Sequence, residues 1–375
     1  MILLVFLTNI ALAGLSQLSL EMSKKDLRQF QGTIQHSLKL GYLHQASNPW
    51  RKGVLREGQR LHPIKFKLKG DLPKHWRDLH KSWALKLSHS SVDSVTDFSL
   101  TLAADKYFAI PLLIQEIYTA RQRPMPATRL VELRTFPYPK SGLYLLEEEL
   151  SESFREKSHL SSGDFYLPNN QWVLGLNNPR HPYASHFAKV QGSFHPMLSD
   201  CIFYRPRLRD EMNPKFCEFL SLMKTDPALA FEKFVEKESF LLWMAVMTYL
   251  GDTHSALVDN HGWYVNFLTE TASPMPRDFI PTYPAFEDLN TYLDHLERRH
   301  PFFRHVLQNL KLREEFLTLL KLLLLRSPGD LEFLKSQTPT EQMNPLDKKS
   351  WSESLQTLSQ WQLKLQGNLA KGVAP

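Results

Sequence analysis

A chain of 375 residues, 42% of them hydrophobic and 11% aromatic, holds enough apolar material for one large domain or two smaller ones, which excludes intrinsic disorder. Its 45 Lys and Arg against 39 Asp and Glu leave a net charge of +6, spread along the chain and not gathered into blocks. Nucleic-acid binding usually shows clustered basic residues with interleaved aromatics or a known motif. Neither is present in the sequence, so nucleic acid is not an expected partner.

The N-terminus, MILLVFLTNIALAGLSQLS, has an apolar run from Ile2 to Leu7 and then Ala11-Leu12-Ala13, the small-x-small form that a signal peptidase accepts, without a basic region before it. Residues 1–17 read as an export signal or a membrane anchor, which implies a periplasmic, extracellular or membrane-tethered protein. An N-terminal core strand or a misassigned start codon is the alternative. No other run reaches the roughly 18 apolar residues of a membrane span, because LLKLLLLRS is interrupted by Lys321.

Lys24 to Leu43 is the first helical candidate. HPIKFKLKGD then alternates Ile64, Phe66 and Leu68 with Lys65, Lys67 and Lys69, the period-two pattern of a half-buried strand, and SWALKLS repeats it. The two predict a hairpin with a long connection, LPKHWRDLHK. Ile110, Leu113, Ile114, Ile117 and Tyr118 are spaced helically, and Pro124 and Pro126 end that helix. TRLVELRTF and SGLYLLEEEL predict two more strands, completing a small mixed lobe.

Asn169 to Pro214 is rich in Pro, Asn, His and Gly and reads as irregular. Cys201 and Cys217, within and just beyond it, either close a disulfide worth roughly 3 kcal/mol in an oxidising compartment or remain two separate thiols. Helical periodicity returns from Asp226 to Tyr249. The remainder after FIPTYPAF is dominated by amphipathic helices, with residues 336–375 read as a peripheral helical extension.

No Gly-rich phosphate loop, Gly-x-Ser-x-Gly elbow, HExxH or Cys-x-x-Cys pair is present. His254 and His261, seven positions apart, are two turns separated on a helix, too far for joint metal ligation. What remains is polar residues at element ends: Lys69, Asp71, His75, His80 and Lys81 after the first strands, and Glu147 with Glu148 at the end of a later one. Taken singly, each reads more simply as a solvent-facing side chain.

Their order is more specific. KFKLKGDLPKHWRDLHKSWALKLS, DFSLTLAADKYFAIPLLIQEIY, VELRTFPYPKSGLYLLEEEL, GDFYLP and AVMTYLGDTHSALVDNHGWYVNF together resemble the CotH family of spore-coat kinases, in its bacterial exported branch. The resemblance runs from about Leu18 to Leu325. It implies an α+β, atypical kinase-like fold with a strand-rich N-lobe (about 18–168) and a mainly helical C-lobe (about 169–335), which enclose ATP and Mg²⁺ or Mn²⁺ and phosphorylate protein hydroxyl groups.

Phosphoryl transfer is mostly positioning and charge neutralisation. The resemblance therefore implies Lys69 and Lys81 on phosphates, Glu116 as ion-pair partner of a strand lysine, and Glu147 and Glu148 at the interlobe connection beside the adenine. It places Asp252, His254, Asp259 and Asn260 on the catalytic and metal-binding loop, with Asp259 and Asn260 toward the metal. Lys106 stands where the family usually carries an arginine. Where the family carries a metal-binding acid, this chain has FIPTYPAF, with no carboxylate between Phe279 and Glu287. Loss of one hard oxygen ligand weakens Mg²⁺ binding, so a catalytically inactive kinase-like module that binds a protein partner in the cell envelope is the competing expectation.

Overall fold

The computed structural model describes residues 15–70, 73–76, 81–88, 90–136, 140–168, 201, 204–256, 262–277, 279 and 286–371. Seven strands close into a barrel: β1 (Ser16–Glu21), β2 (Arg51–Glu57), β3 (Arg60–Leu68), β4 (Trp83–Leu87), β5 (Asp97–Leu102), β6 (Thr128–Phe136) and β7 (Lys140–Glu148). The spatial order is β1-β2-β3-β4-β5-β7-β6. Neighbours are antiparallel except β1 and β6, which run parallel and close the barrel with Ser16 opposite Val131.

The alternation in the sequence decides which side chains fill it: Ile64, Phe66 and Leu68 point inward beside Leu18, Leu20, Leu85, Phe98 and Leu146. The hairpin expected of HPIKFKLKGD and SWALKLS is β3–β4, with Leu68 opposite Trp83. Ser16 and Gln17, the last residues of the stretch expected to be an export signal or anchor, belong to β1.

Helix α1 (Lys24–Leu40), capped by Ser23 and ended by Gly41 at φ 80, adds Phe30 and Ile34 to the barrel core. Phe30 packs on Phe66 and Trp83, with centroids 5.5 and 5.4 Å apart. Helix α2 (Ile110–Ala120) instead joins the second core through Ile110, Leu113, Ile114 and Ile117.

That core belongs to α4 (Pro214–Thr225), α5 (Pro227–Phe234), α6 (Lys237–Leu250), α7 (Leu289–Arg299), α8 (Pro301–Gln308), α9 (Leu310–Gln337) and α10 (Pro345–Ala370), which follow the short α3 (Glu152–Lys157). A second sheet, ordered β11-β10-β8-β9, contains β8 (Gly163–Pro168), β9 (Tyr204–Pro206), β10 (Gly262–Asn266) and β11 (Thr271–Met275). β9 is regular structure inside the stretch read as irregular; residues 169–200 of that stretch lie outside the described residues. Every residue of α6 from Phe240 to Leu250 is buried, as an all-apolar helix requires. The chain is thus α+β, strand-rich at the N-terminal side and mainly helical at the C-terminal side. The closed barrel is a feature the sequence reading did not contain.

Two corrections follow from packing. Helix α9 continues through Pro328, where local rules end a helix. Proline has no N–H for the carbonyl of Leu324, and Gln366 of α10 supplies a donor to that oxygen instead, at 3.3 Å. Helix α10 is also no peripheral extension. Trp351, Leu358, Trp361 and Leu365 are buried in the helical core, and Trp361 Nε1 donates to the Thr248 carbonyl of α6 at 2.8 Å.

Candidate functional site

The polar groups at the C-terminal end of β3 are drawn inward by the connection to β4. Gly70 sits at φ 86, and a Cβ there would meet His75 at 2.6 Å, so the Lys69-Gly70 turn tolerates no larger residue. Lys69 N donates to Ser82 O at 2.9 Å and Ser82 N to His75 O at 2.7 Å, which folds the connection back along the strand ends. Lys81 serves this local structure, donating from Nζ to Trp76 O at 3.0 Å.

Lys69 reaches across the sheet order, over β4 and β5, to Glu149 just beyond β7, with Nζ 2.5 Å from Oε1. Arg207 approaches the other oxygen at 3.5 Å, and Arg277 adds its charge. Burial pushes the Glu149 carboxyl up, but Lys69, Arg207 and Arg277 more than offset it and hold its pKa at about 2. Three cations from three separate segments therefore converge on one carboxylate.

Arg207 is fixed by Asp164 of β8. This fully buried carboxylate accepts from the backbone N–H groups of Arg207, Leu208 and Arg209 at 3.0, 2.9 and 3.1 Å. The same segment is tied to α4 by a disulfide between Cys201 and Cys217, which resolves the open question about the two cysteines.

Between β5 and α2, the turn Ala103–Lys106 and the two residues after it join the barrel to the helices one side chain at a time. Asp105 pairs with His75 at 3.3 Å, Lys106 lies 4.0 Å from Glu147, and Phe108 packs on Trp351 with centroids 5.6 Å apart. Tyr107 faces Asp252: burial first, and then that acid, raise its pKa. Tyr107 and Phe108 both adopt left-handed backbone conformations, φ 55 and 53, a strain the surrounding packing must hold.

Asp252 follows Gly251, which ends α6 at φ 61. The carboxylate is fully buried and its oxygens are occupied: Oδ1 accepts from His254 N at 2.7 Å and Ser255 N at 3.3 Å, and Oδ2 from Ser255 Oγ. Its carbonyl accepts from Tyr292 OH at 2.5 Å. The three carboxylate bonds make the residue a builder of its own turn. His254 contributes its backbone N–H to the same turn.

The remaining expected residues are scattered. Glu147 stands beside Lys106. Glu148 is buried against Lys157, whose Nζ is 2.7 and 2.6 Å from its oxygens, and it also accepts from Ala127 N at 2.9 Å, so it anchors β7 and α3. Glu116 is not the partner of a strand lysine: Lys69 has Glu149, and Glu116 acts on Asp330 of α9, whose pKa is raised mainly by burial. Asp259 and Asn260, with Asp71, His80 and Tyr283, lie outside the described residues.

Sequence reasoning missed Glu149, Arg207, Arg277 and Asp164. For Glu149 a signal existed, because period-two alternation in LLEEEL puts Glu147 and Glu149 on one face and Glu148 on the other.

Among the described residues no group of three His, Cys, Asp or Glu side chains is placed to hold a metal ion. No helix among them is long and apolar enough to cross a membrane. Comparison of the chain with protein-family models and with curated proteins matches none of them.

Proposed function

We propose that this chain is a kinase-like phosphotransferase of the CotH type, acting outside the cytoplasm on hydroxyl groups of a protein substrate with ATP and Mg²⁺ or Mn²⁺. The observation that carries this reading is the convergence of Lys69, Arg207 and Arg277 on Glu149, next to the barrel–helix junction. Cations brought together from three segments around one carboxylate make a site whose chemistry suits a phosphate group. The order β3-β4-β5-α2-β6-β7 adds support. A lysine follows the third strand of this run and an acid lies on the next helix, as in the kinase ion pair, although Lys106 and Glu116 are not paired here. The disulfide fits an oxidising compartment.

In this reading Lys69, Arg207 and Arg277 bind the phosphates and Glu149 is the anion that ATP displaces. Asp252 fixes the turn through His254 and Ser255. Among the described residues no carboxylate cluster is placed to hold Mg²⁺: Asp252 already accepts from three donors of its own turn, and Glu149 is enclosed by cations. The resemblance assigns the metal to Asp259 and Asn260, which lie outside the described residues.

A second reading, a kinase-like module without catalysis that binds an envelope protein, is favoured by the direct Lys69–Glu149 pair and the displaced Glu116. Incubation with γ-labelled ATP, Mn²⁺ or Mg²⁺ and a serine-rich acceptor polypeptide separates the two. Label incorporation lost in Lys69→Ala and Asn260→Ala supports catalysis. ATP binding without incorporation supports the inactive module, and absence of ATP binding sinks the kinase reading.

A further inference from the structure

The outer face of β2, β3 and β4 carries a surface that phosphoryl transfer does not use. Strand alternation puts Lys52, Lys65 and Lys86 on one side, and the register sets Lys52 opposite Lys65 and Lys65 opposite Lys86. All three are exposed, in a row across three adjacent strands. Like charges directly opposite repel and cost stability. Asp97, opposite Lys86 and 3.1 Å from its Nζ, offsets one of them.

Beside this row Trp50 is 38% exposed, with Lys67 Nζ and Lys86 Nζ 5.1 and 5.5 Å from its ring centroid. Farther along the same face of β3, Leu61 is 55% exposed and Pro63 is exposed. A band of lysines, one of them paired with Asp97, is thus bracketed by a tryptophan at one end and a leucine at the other. We propose that this face docks the protein on an anionic lipid membrane.

The chemistry of the face fits that partner. Lysine ammonium groups meet lipid phosphates while their stems lie along apolar material, and Trp50 and Leu61 enter the headgroup boundary where an amphipathic ring is favoured. The position in the chain agrees. The apolar residues that precede Ser16 lead into β1, which pairs with β2 so that Leu18 faces Glu57, at the same end of the barrel as Leu61. A single-stranded nucleic acid fits less well, because it needs a series of aromatic platforms for successive bases and this face offers one.

The test is co-sedimentation of the full chain with vesicles of phosphatidylcholine alone and of phosphatidylcholine containing phosphatidylglycerol. Binding to neutral vesicles measures the contribution of the N-terminal segment and serves as the baseline. The expected preference for anionic vesicles is on the order of 100-fold, about fivefold per lysine, and falls as salt is raised. It is abolished in K52E/K65E/K86E, and reduced several-fold, with charge unchanged, in Trp50→Ala and Leu61→Ala. Each substituted lysine is exposed, so the triple variant is expected to fold, with a thermal transition slightly lowered where Lys86→Glu sets a second acid opposite Asp97; a variant that fails to fold is replaced by K65E, read with the salt dependence of the wild type. Equal binding of wild type and charge-reversed protein to anionic vesicles overturns the proposal. So does tighter binding of the wild type to a single-stranded oligonucleotide or an acidic polypeptide than to the vesicles.

Discussion

Asp252 and Glu149 are acids in the two halves of the same junction, and they are held in opposite ways. Asp252 is fully buried and satisfied from within its own turn, by His254 N, Ser255 N and Ser255 Oγ. Glu149 keeps about a quarter of its side chain exposed and is satisfied by charges from far away in sequence: Lys69 after β3, Arg207 after β9 and Arg277 after β11. The first arrangement fixes a backbone. The second sets a carboxylate among charges drawn from distant segments, the arrangement on which the proposed phosphate site rests.

The contrast can be broken experimentally, beginning with the largest effect. Asp252→Ala orphans three buried donors and should destabilise the protein by about 3 kcal/mol in urea unfolding. Asp252→Asn keeps most acceptors, so it should cost about 1 kcal/mol and leave nucleotide binding intact. An Asn variant with wild-type stability that no longer binds nucleotide would make Asp252 a ligand-contacting acid and erase the distinction.

Reduction of Cys201–Cys217 should cost up to about 3 kcal/mol, by freeing the chain that carries Arg207. It should also raise the Glu149 pKa, measurable by NMR titration. A pKa that stays at about 2 after reduction would show that Asp164 alone positions Arg207.

Lys69→Met should cost about 1–2 kcal/mol at neutral pH, less than a fully buried pair because both partners keep some exposure. The sign with pH is fixed. The folded pKa of Glu149, about 2, lies below its ordinary 4.5, so the stability contributed by the ionised form is complete above the ordinary value and is lost as pH falls through about 2. The stability difference between wild type and Lys69→Met should therefore shrink over that window, followed by urea midpoints. A pH-independent difference would assign the loss to packing.

The smallest effect repeats the local-versus-distant contrast inside one helix. Gln366→Leu should cost about 1 kcal/mol, because the Leu324 carbonyl loses its donor, and nothing in a Pro328→Ala background, where the backbone N–H returns. An equal cost in both backgrounds would mean that Gln366 acts by packing.

What was legible in the sequence was local. Period two revealed β3, β4, β6 and β7, and the unbroken FLLWMAVMTYL run matches a helix buried on all sides. The parallel β1–β6 pair that closes the barrel leaves no local trace, since it joins residues more than a hundred positions apart through sheet curvature. The passage of α9 through Pro328 is illegible for the same reason, its compensating donor being on another helix. At the site, Glu149 could be read from alternation, whereas Arg207 depends on Asp164 and a disulfide, and Arg277 on the course of β11.

The most direct test is thermal-shift titration of the wild type, Glu149→Gln and Lys69→Ala with ATP and Mn²⁺. The expected result is a metal-dependent stabilisation in the wild type that is stronger in Glu149→Gln, where the competing carboxylate charge is gone, and absent in Lys69→Ala. Equal shifts in all three proteins, or none in any at millimolar nucleotide, would contradict an exchangeable phosphate site at Glu149.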